Sequence, residues 1–218
     1  TSYGVAYTND YQLTDLEITK VWDDNDDQDG KRPTTDEFKA WLKLMADGTD
    51  VTSANASKLT VTEGEDEEGN TIYTAKWTGL TRYAEGEEIE YSVTETPSED
   101  YTADTTTVGD HGTISNSHTP EVTDITVTKA WDDASDQDGK RPDSLTLTLN
   151  GAPEGTTVPA PTITESTDGN NWTYTWTGLP KYADGEEIEY TVTEETIPTG
   201  YTCDTTTVAA GGTITNSY

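Results

Sequence analysis

Ile18-Thr19-Lys20-Val21-Trp22-Asp23-Asp24 returns further along the chain as Val127-Thr128-Lys129-Ala130-Trp131-Asp132-Asp133, and the reading of this stretch decides the fold. Apolar and polar residues alternate through both copies, the pattern of a half-buried β-strand. Strand side chains point alternately to opposite faces. Leu16, Ile18, Lys20 and Trp22 therefore share one face, and Ile125, Val127, Lys129 and Trp131 share the corresponding one. Each copy carries a lysine within its inward, apolar series.

Outward from this stretch the repetition covers nearly the whole chain. Gln28-Asp29-Gly30-Lys31-Arg32-Pro33 recurs as Gln137-Asp138-Gly139-Lys140-Arg141-Pro142, and Ile114-Ser115-Asn116-Ser117 as Ile214-Thr215-Asn216-Ser217. Trp77-Thr78-Gly79-Leu80 returns from Trp176, and Gly86-Glu87-Glu88-Ile89-Glu90-Tyr91 from Gly185. With 218 residues, and domains usually about 100–150 residues long, the chain divides into repeat 1 over 13–118, a linker over 119–122 and repeat 2 over 123–218. Short alternating segments broken by Gly, Asp, Asn and Pro predict about seven strands per copy, and so an all-β chain of two tandem Ig-like antiparallel β-sandwiches.

Residues 1–12, where Tyr7-Thr8-Asn9-Asp10-Tyr11 echoes the closing Ile214-Thr215-Asn216-Ser217-Tyr218, are either the last strand of a preceding repeat or a tail. Repeat 1 is the longer copy between Pro33 and Trp77, where the acidic run Glu63–Asn70 reads as an extended hairpin loop. In the same region Phe38, Trp41, Leu42 and Met45 fit a helical stripe, while Phe38, Ala40, Leu42 and Leu44 fit a strand. The clean alternation of the counterpart Leu145-Thr146-Leu147-Thr148-Leu149 selects strand.

The same parity test places two more polar residues inward in each copy. Ile89, Tyr91, Val93 and Glu95 fall together, as do Ile188, Tyr190, Val192 and Glu194, with Glu195 turned to solvent. On the last strand Ile114 aligns with Asn116, and Ile214 with Asn216. Burying an ammonium, a carboxylate and a carboxamide is unfavourable by several kcal/mol per unpaired ion. Two readings answer that penalty. One is a buried Lys–Glu salt bridge with Asn as hydrogen-bond partner. The other is chemical: desolvation favours a neutral amine beside a protonated carboxyl, and folding supplies the proximity for the amine to displace ammonia from the carboxamide. The pattern alone leaves both open.

Composition narrows the function. Forty-three acidic residues against twelve Lys and Arg give a net charge of −31, which excludes nucleic acid and anionic lipid as partners. An apolar content of 30% would permit disorder, but six Trp and twelve Tyr lie inside the alternating segments, as a folded chain requires. No apolar run approaches the roughly 18 residues of a membrane span, and no signal peptide opens the sequence, so targeting and anchoring segments are expected outside it. The single cysteine, Cys203, rules out an intrachain disulfide, leaving some other staple to be found.

Val-Thr-Lys-x-Trp-Asp-Asp, Lys-Arg-Pro, Trp-Thr-Gly-Leu, Tyr-x-Val-Thr-Glu and Ile-x-Asn-Ser, in that order, resemble the collagen-adhesin B-type (Cna B-type) repeats of Gram-positive surface proteins and pilins over roughly 14–118 and 122–218. The resemblance implies that Lys20 bonds to Asn116 and Lys129 to Asn216 through isopeptide amides, with Glu95 and Glu194 as the catalytic acids. It further implies an extracellular, wall-anchored stalk, a monomer whose partners are neighbouring repeats. No enzyme acting on outside substrates is expected, since such a centre reacts once and is consumed. The competing reading has the repeats bind a host ligand directly through exposed aromatics, Tyr83, Tyr101, Tyr182 and Tyr201. The lengthened acidic middle of repeat 1 departs from the family pattern without touching the three reacting positions.

Other signals are weaker. Asn25-Asp26-Asp27-Gln28-Asp29-Gly30 imitates the start of a calcium loop, yet Ala134 stands at the first ligand position of the second copy, and Asp36 and Leu145 replace the closing Glu. A solvated acidic turn is the favoured reading, and no metal or cofactor is expected. Lys31 and Lys140 sit in Gly- and Pro-bounded turns where exposure is the default. His111 and His118 form no ligand cluster, and Cys203, which replaces Ala103 of the first copy, reads as a passive side chain, with a reactive thiol the lesser alternative.

Overall fold

The computed structural model describes residues 12–218. The expectation for residues 1–12 thus lies, Gln12 apart, outside the described residues. The chain divides into two compact units near Thr119–Pro120.

In the first unit, the stretch around Lys20 becomes β1 (Leu13–Asp23). It is followed by α1 (Thr35–Lys39), β2 (Leu42–Ala46), β3 (Thr49–Asp50), α2 (Thr52–Asn55), β4 (Leu59–Glu65) and β5 (Thr71–Thr81). A small hairpin of β6 (Tyr83–Ala84) and β7 (Glu87–Glu88) leads to β8 (Tyr91–Glu95), β9 (Thr102–Ala103), β10 (Thr107–Val108) and β11 (Thr113–Ser117). One sheet has the order β4-β5-β1-β11-β9 and the other β10-β8-β2-β3. Ile18, Leu44, Trp77, Leu80, Val93 and Ile114, drawn from both sheets, are fully enclosed in a single core. The ladders are antiparallel with one exception. β1 and β11, the first and last strands, run parallel, with Lys20 level with Ile114 and Trp22 with Asn116.

The Trp-Thr-Gly-Leu motif acquires a backbone reason. The β1–β5 register slips between Thr14 and Leu16. Opposite the slip, Gly79 takes φ +70°, a conformation open mainly to glycine, and donates its N–H to Asp15 Oδ1 at 2.9 Å. The second unit repeats the device with Gly178 at φ +69° and Asp124.

The strand expected from Phe38 is corrected: α1 occupies its first half. Thr34 caps the helix, its Oγ1 accepting from Glu37 N while Glu37 Oε2 accepts from Thr34 N, a reciprocal capping box. Phe38 hangs from this turn into the core, edge-on to Trp22 at 5.8 Å and Tyr73 at 5.7 Å between ring centroids. Alternation holds only from Leu42, where Leu42 and Leu44 are buried along β2. The acidic run is shorter as a loop than expected, since β4 and β5 stay paired to Glu65 and Thr71 and the turn closes on Asp66, whose Oδ1 accepts from Glu68 N and Asn70 N.

The second unit has β12 (Val122–Asp132), β13 (Thr148–Asn150), β14 (Thr162–Glu165), β15 (Asn171–Pro180), the hairpin β16 (Tyr182–Ala183) and β17 (Glu186–Glu187), β18 (Thr191–Thr193), β19 (Thr202–Cys203), β20 (Thr207–Ala209) and β21 (Thr213–Ser217). Its sheets are ordered β14-β15-β12-β21-β19 and β13-β18-β20. Again β12 and β21 are parallel, with Lys129 level with Ile214 and Trp131 with Asn216. The strand expected over 145–149 pairs only from Thr148, although Leu147 is buried.

Candidate functional site

Parallel pairing of the first and last strands brings the inward lysine and asparagine of each unit to one face of one sheet. Glu95 comes from the opposite sheet, at the end of β8, where its N–H donates to Thr106 O at 2.8 Å. Its carboxyl bridges the other two side chains: Oε2 accepts from Lys20 Nζ at 3.1 Å and Oε1 from Asn116 Nδ2 at 3.0 Å. In the second unit Glu194 Oε2 lies 3.0 Å from Lys129 Nζ, and Oε1 accepts from Asn216 Nδ2 at 2.7 Å. Lysine and asparagine are 0% exposed in both units, and the glutamates 2% and 1%. All six residues singled out by parity converge as two equivalent clusters.

Burial sets the electrostatics. Desolvation pushes the Lys20 amine down to about 8, with the nearby Glu95 pulling the other way. It lowers Lys129 as well, and raises the Glu95 carboxyl above the usual carboxylate range despite Lys20. Trp22 covers Lys20 with its ring centroid 4.7 Å from Nζ, and Trp131 stands 5.0 Å from that of Lys129. Each asparagine Oδ1 is buried with no hydrogen-bond partner among the described residues. A half-turn of the carboxamide exchanges Oδ1 and Nδ2 in front of the glutamate. In that orientation a protonated carboxyl can donate to the carbonyl oxygen and leave Cγ open to the neutral amine.

The family model for the Cna protein B-type domain matches residues 16–117 and 125–217. The chain belongs to this family. A collagen adhesin of Staphylococcus aureus is 40% identical over 220 residues, which is 99% of this chain and 16% of that protein, so the two B-type repeats correspond to a small part of its length. The crystal structure of two B repeat units (B1B2) of the collagen-binding protein Cna of Staphylococcus aureus superposes with a TM-score of 0.60 at 33% identity, covering 94% of this chain and 49% of that one.

Each B-type repeat also holds a second buried polar network, centred on the aspartate two residues beyond the inward tryptophan. Asp24 continues the inward series of β1, and Arg32 grips it with two hydrogen bonds, Nη2 to Oδ1 at 2.6 Å and Nε to Oδ2 at 3.1 Å. Tyr101 OH donates to the same Oδ2 at 2.8 Å. Asp133, Arg141 and Tyr201 repeat the arrangement, and the Arg141 hydrogen bonds hold the Asp133 carboxyl down at about 2. The signal was present in the recurring Trp-Asp-Asp and Lys-Arg-Pro motifs. In the loop read against calcium, Asp27 Oδ1 accepts from the Arg32 backbone N–H at 2.7 Å, and the Asp27 N–H donates back to Asp24 Oδ1 at 3.0 Å.

Two of the four aromatics proposed as ligand contacts are corrected. Tyr101 and Tyr201 are 5% and 7% exposed, consumed by these networks, whereas Tyr83 is 41% exposed. Lys31 is exposed beside Asp100, and Lys140 is exposed. His111 pairs with Asp110, and His118 Nδ1 meets Asp100 O at 2.8 Å.

Proposed function

We propose that the chain is a shaft segment of an extracellular bacterial surface adhesin or pilin, anchored to the wall through other segments, in which each repeat closes itself with an isopeptide amide. Lys20 bonds to Asn116 and Lys129 to Asn216, promoted by Glu95 and Glu194. The supporting observation is the enclosed Lys–Glu–Asn cluster between parallel first and last strands. A plain salt bridge leaves the Asn Oδ1 atoms unsatisfied, whereas the chemical reading gives them a role as the oxygen that gathers charge during attack.

The neutral amine attacks Asn Cγ, forming the new C–N bond. The Cγ–Nδ2 bond breaks as the glutamate relays the amine proton to the leaving nitrogen. One ammonia departs per bond, and the carboxyl is returned to its starting state. Enclosure and proximity supply what free lysine and asparagine in water lack.

Direct capture of a host ligand is the second reading, since the similar Staphylococcus protein is named a collagen adhesin; burial of Tyr101 and Tyr201 removes half of the aromatic surface first assigned to it. Saturable affinity for a matrix protein tests that second reading, and intact-mass measurement of the purified chain tests the first. A deficit of two ammonia masses is expected, and an unmodified mass would refute self-crosslinking.

A further inference from the structure

On the strand that pairs with each asparagine, the two clusters differ. Ala103 is paired in register with Asn116, and at the equivalent place Cys203 is paired with Asn216. Directly opposite residues on an antiparallel pair bring their Cβ atoms within about 4.5–5.5 Å. Cys203 Sγ lies 3.9 Å from Glu194 Oε2, the same oxygen that faces Lys129 Nζ. The thiol proton has a nearer acceptor in Thr205 O, 2.9 Å from Sγ, so the sulfur offers the carboxyl bulk and lone pairs rather than its proton. Cys203 is partly buried and packs on the core, while Glu194 is 1% exposed and the unpartnered Asn216 Oδ1 is enclosed in the same cluster.

We propose that Cys203 is a positioning residue for the second crosslink, its sulfur shielding Glu194 and Lys129 from water and holding the carboxyl between amine and carboxamide. The inference rests on the crosslinking reading. Sulfur itself makes and breaks no bond: the new bond is Lys129 Nζ to Asn216 Cγ, and Nδ2 leaves as ammonia. With alanine at 203, the space of the sulfur beside Glu194 Oε2 is left open to water.

The test is cell-free synthesis of the full chain, quenched at intervals in acid and denaturant, digested, and assayed by mass spectrometry for both crosslinked peptide pairs. The Lys20–Asn116 pair is the internal clock. Cys203→Ala is expected to slow the second crosslink about three- to tenfold, the size of a shift of half to one pKa unit, without changing the first. Cys203→Val, an apolar filler, restores the rate. Because burial lowers the Lys129 amine, water admitted by Cys203→Ala lets it rise again, and the ascending limb of the rate–pH curve moves to higher pH. A merely loosened repeat would slow equally at every pH. Unchanged rate and pH profile in Cys203→Ala, with both crosslinks forming, overturns the role of Cys203 and leaves the crosslinking reading standing. Absence of both crosslinks from the parent chain overturns that reading and this inference together.

Discussion

Asp133 is the residue whose charge state ties the B-type repeat to pH. Hydrogen bonds from Arg141 hold its carboxyl at about 2 in the folded unit, against 3.8 ordinarily. A depressed carboxylate contributes stability that is present above the unfolded value and is lost as pH falls through the folded one. Urea midpoints measured from about pH 4 down to about pH 2 should therefore fall more steeply for the parent than for Asp133→Asn, which cannot titrate. The neutral-pH midpoint of that variant should drop, because Arg141 is left buried without its carboxylate. At this scale the sequence was most informative where alternation was unbroken: Lys20, Glu95 and Asn116 could be placed inward by counting in twos. Asp24 and Asp133 obey the same count, but an aspartate beside an acidic turn reads as solvent-facing. Nothing in alternation reveals that Arg32 or Tyr101 folds back to meet it.

Among the elements, α1 teaches most about what periodicity can decide. Five residues of helix followed by five of strand give a mixed pattern that supports both periods over a short window, and the second copy, which lacks the helix, pointed to the wrong one. The Thr34–Glu37 capping box was the local signal that discriminates, since its two reciprocal hydrogen bonds form only at a helix start. Thr34→Ala should destabilise repeat 1 by about 1 kcal/mol and leave repeat 2 unaffected, as read by thermal unfolding of each unit with its own Trp environment. The parallel pairing of β1 with β11 was also beyond sequence reading, because alternation fixes which face a residue takes and not which strand lies beside it.

For the whole molecule, the mechanical expectation is that neither unit lengthens under tension once its amide is made. Single-molecule pulling on the parent chain should give no unfolding step from either unit. Glu95→Ala should release one, of about 330 Å at roughly 3.4 Å per residue between Lys20 and Asn116. Glu194→Ala should release the corresponding step from repeat 2. Steps of equal size in parent and variants would contradict a shaft function. The parallel placement of the first strand beside the last has a consequence for how such a repeat can diversify. Load entering at the start of β1 and leaving at the end of β11 drags the two strands lengthwise past each other, straining their hydrogen bonds together rather than opening them singly like a zip. With the lysine and asparagine joined, everything between them hangs as a side loop off the line of pull. Insertions such as the longer stretch between Pro33 and Trp77 can then accumulate, acquire helices or new surfaces, and neither stretch nor weaken the line that carries the load.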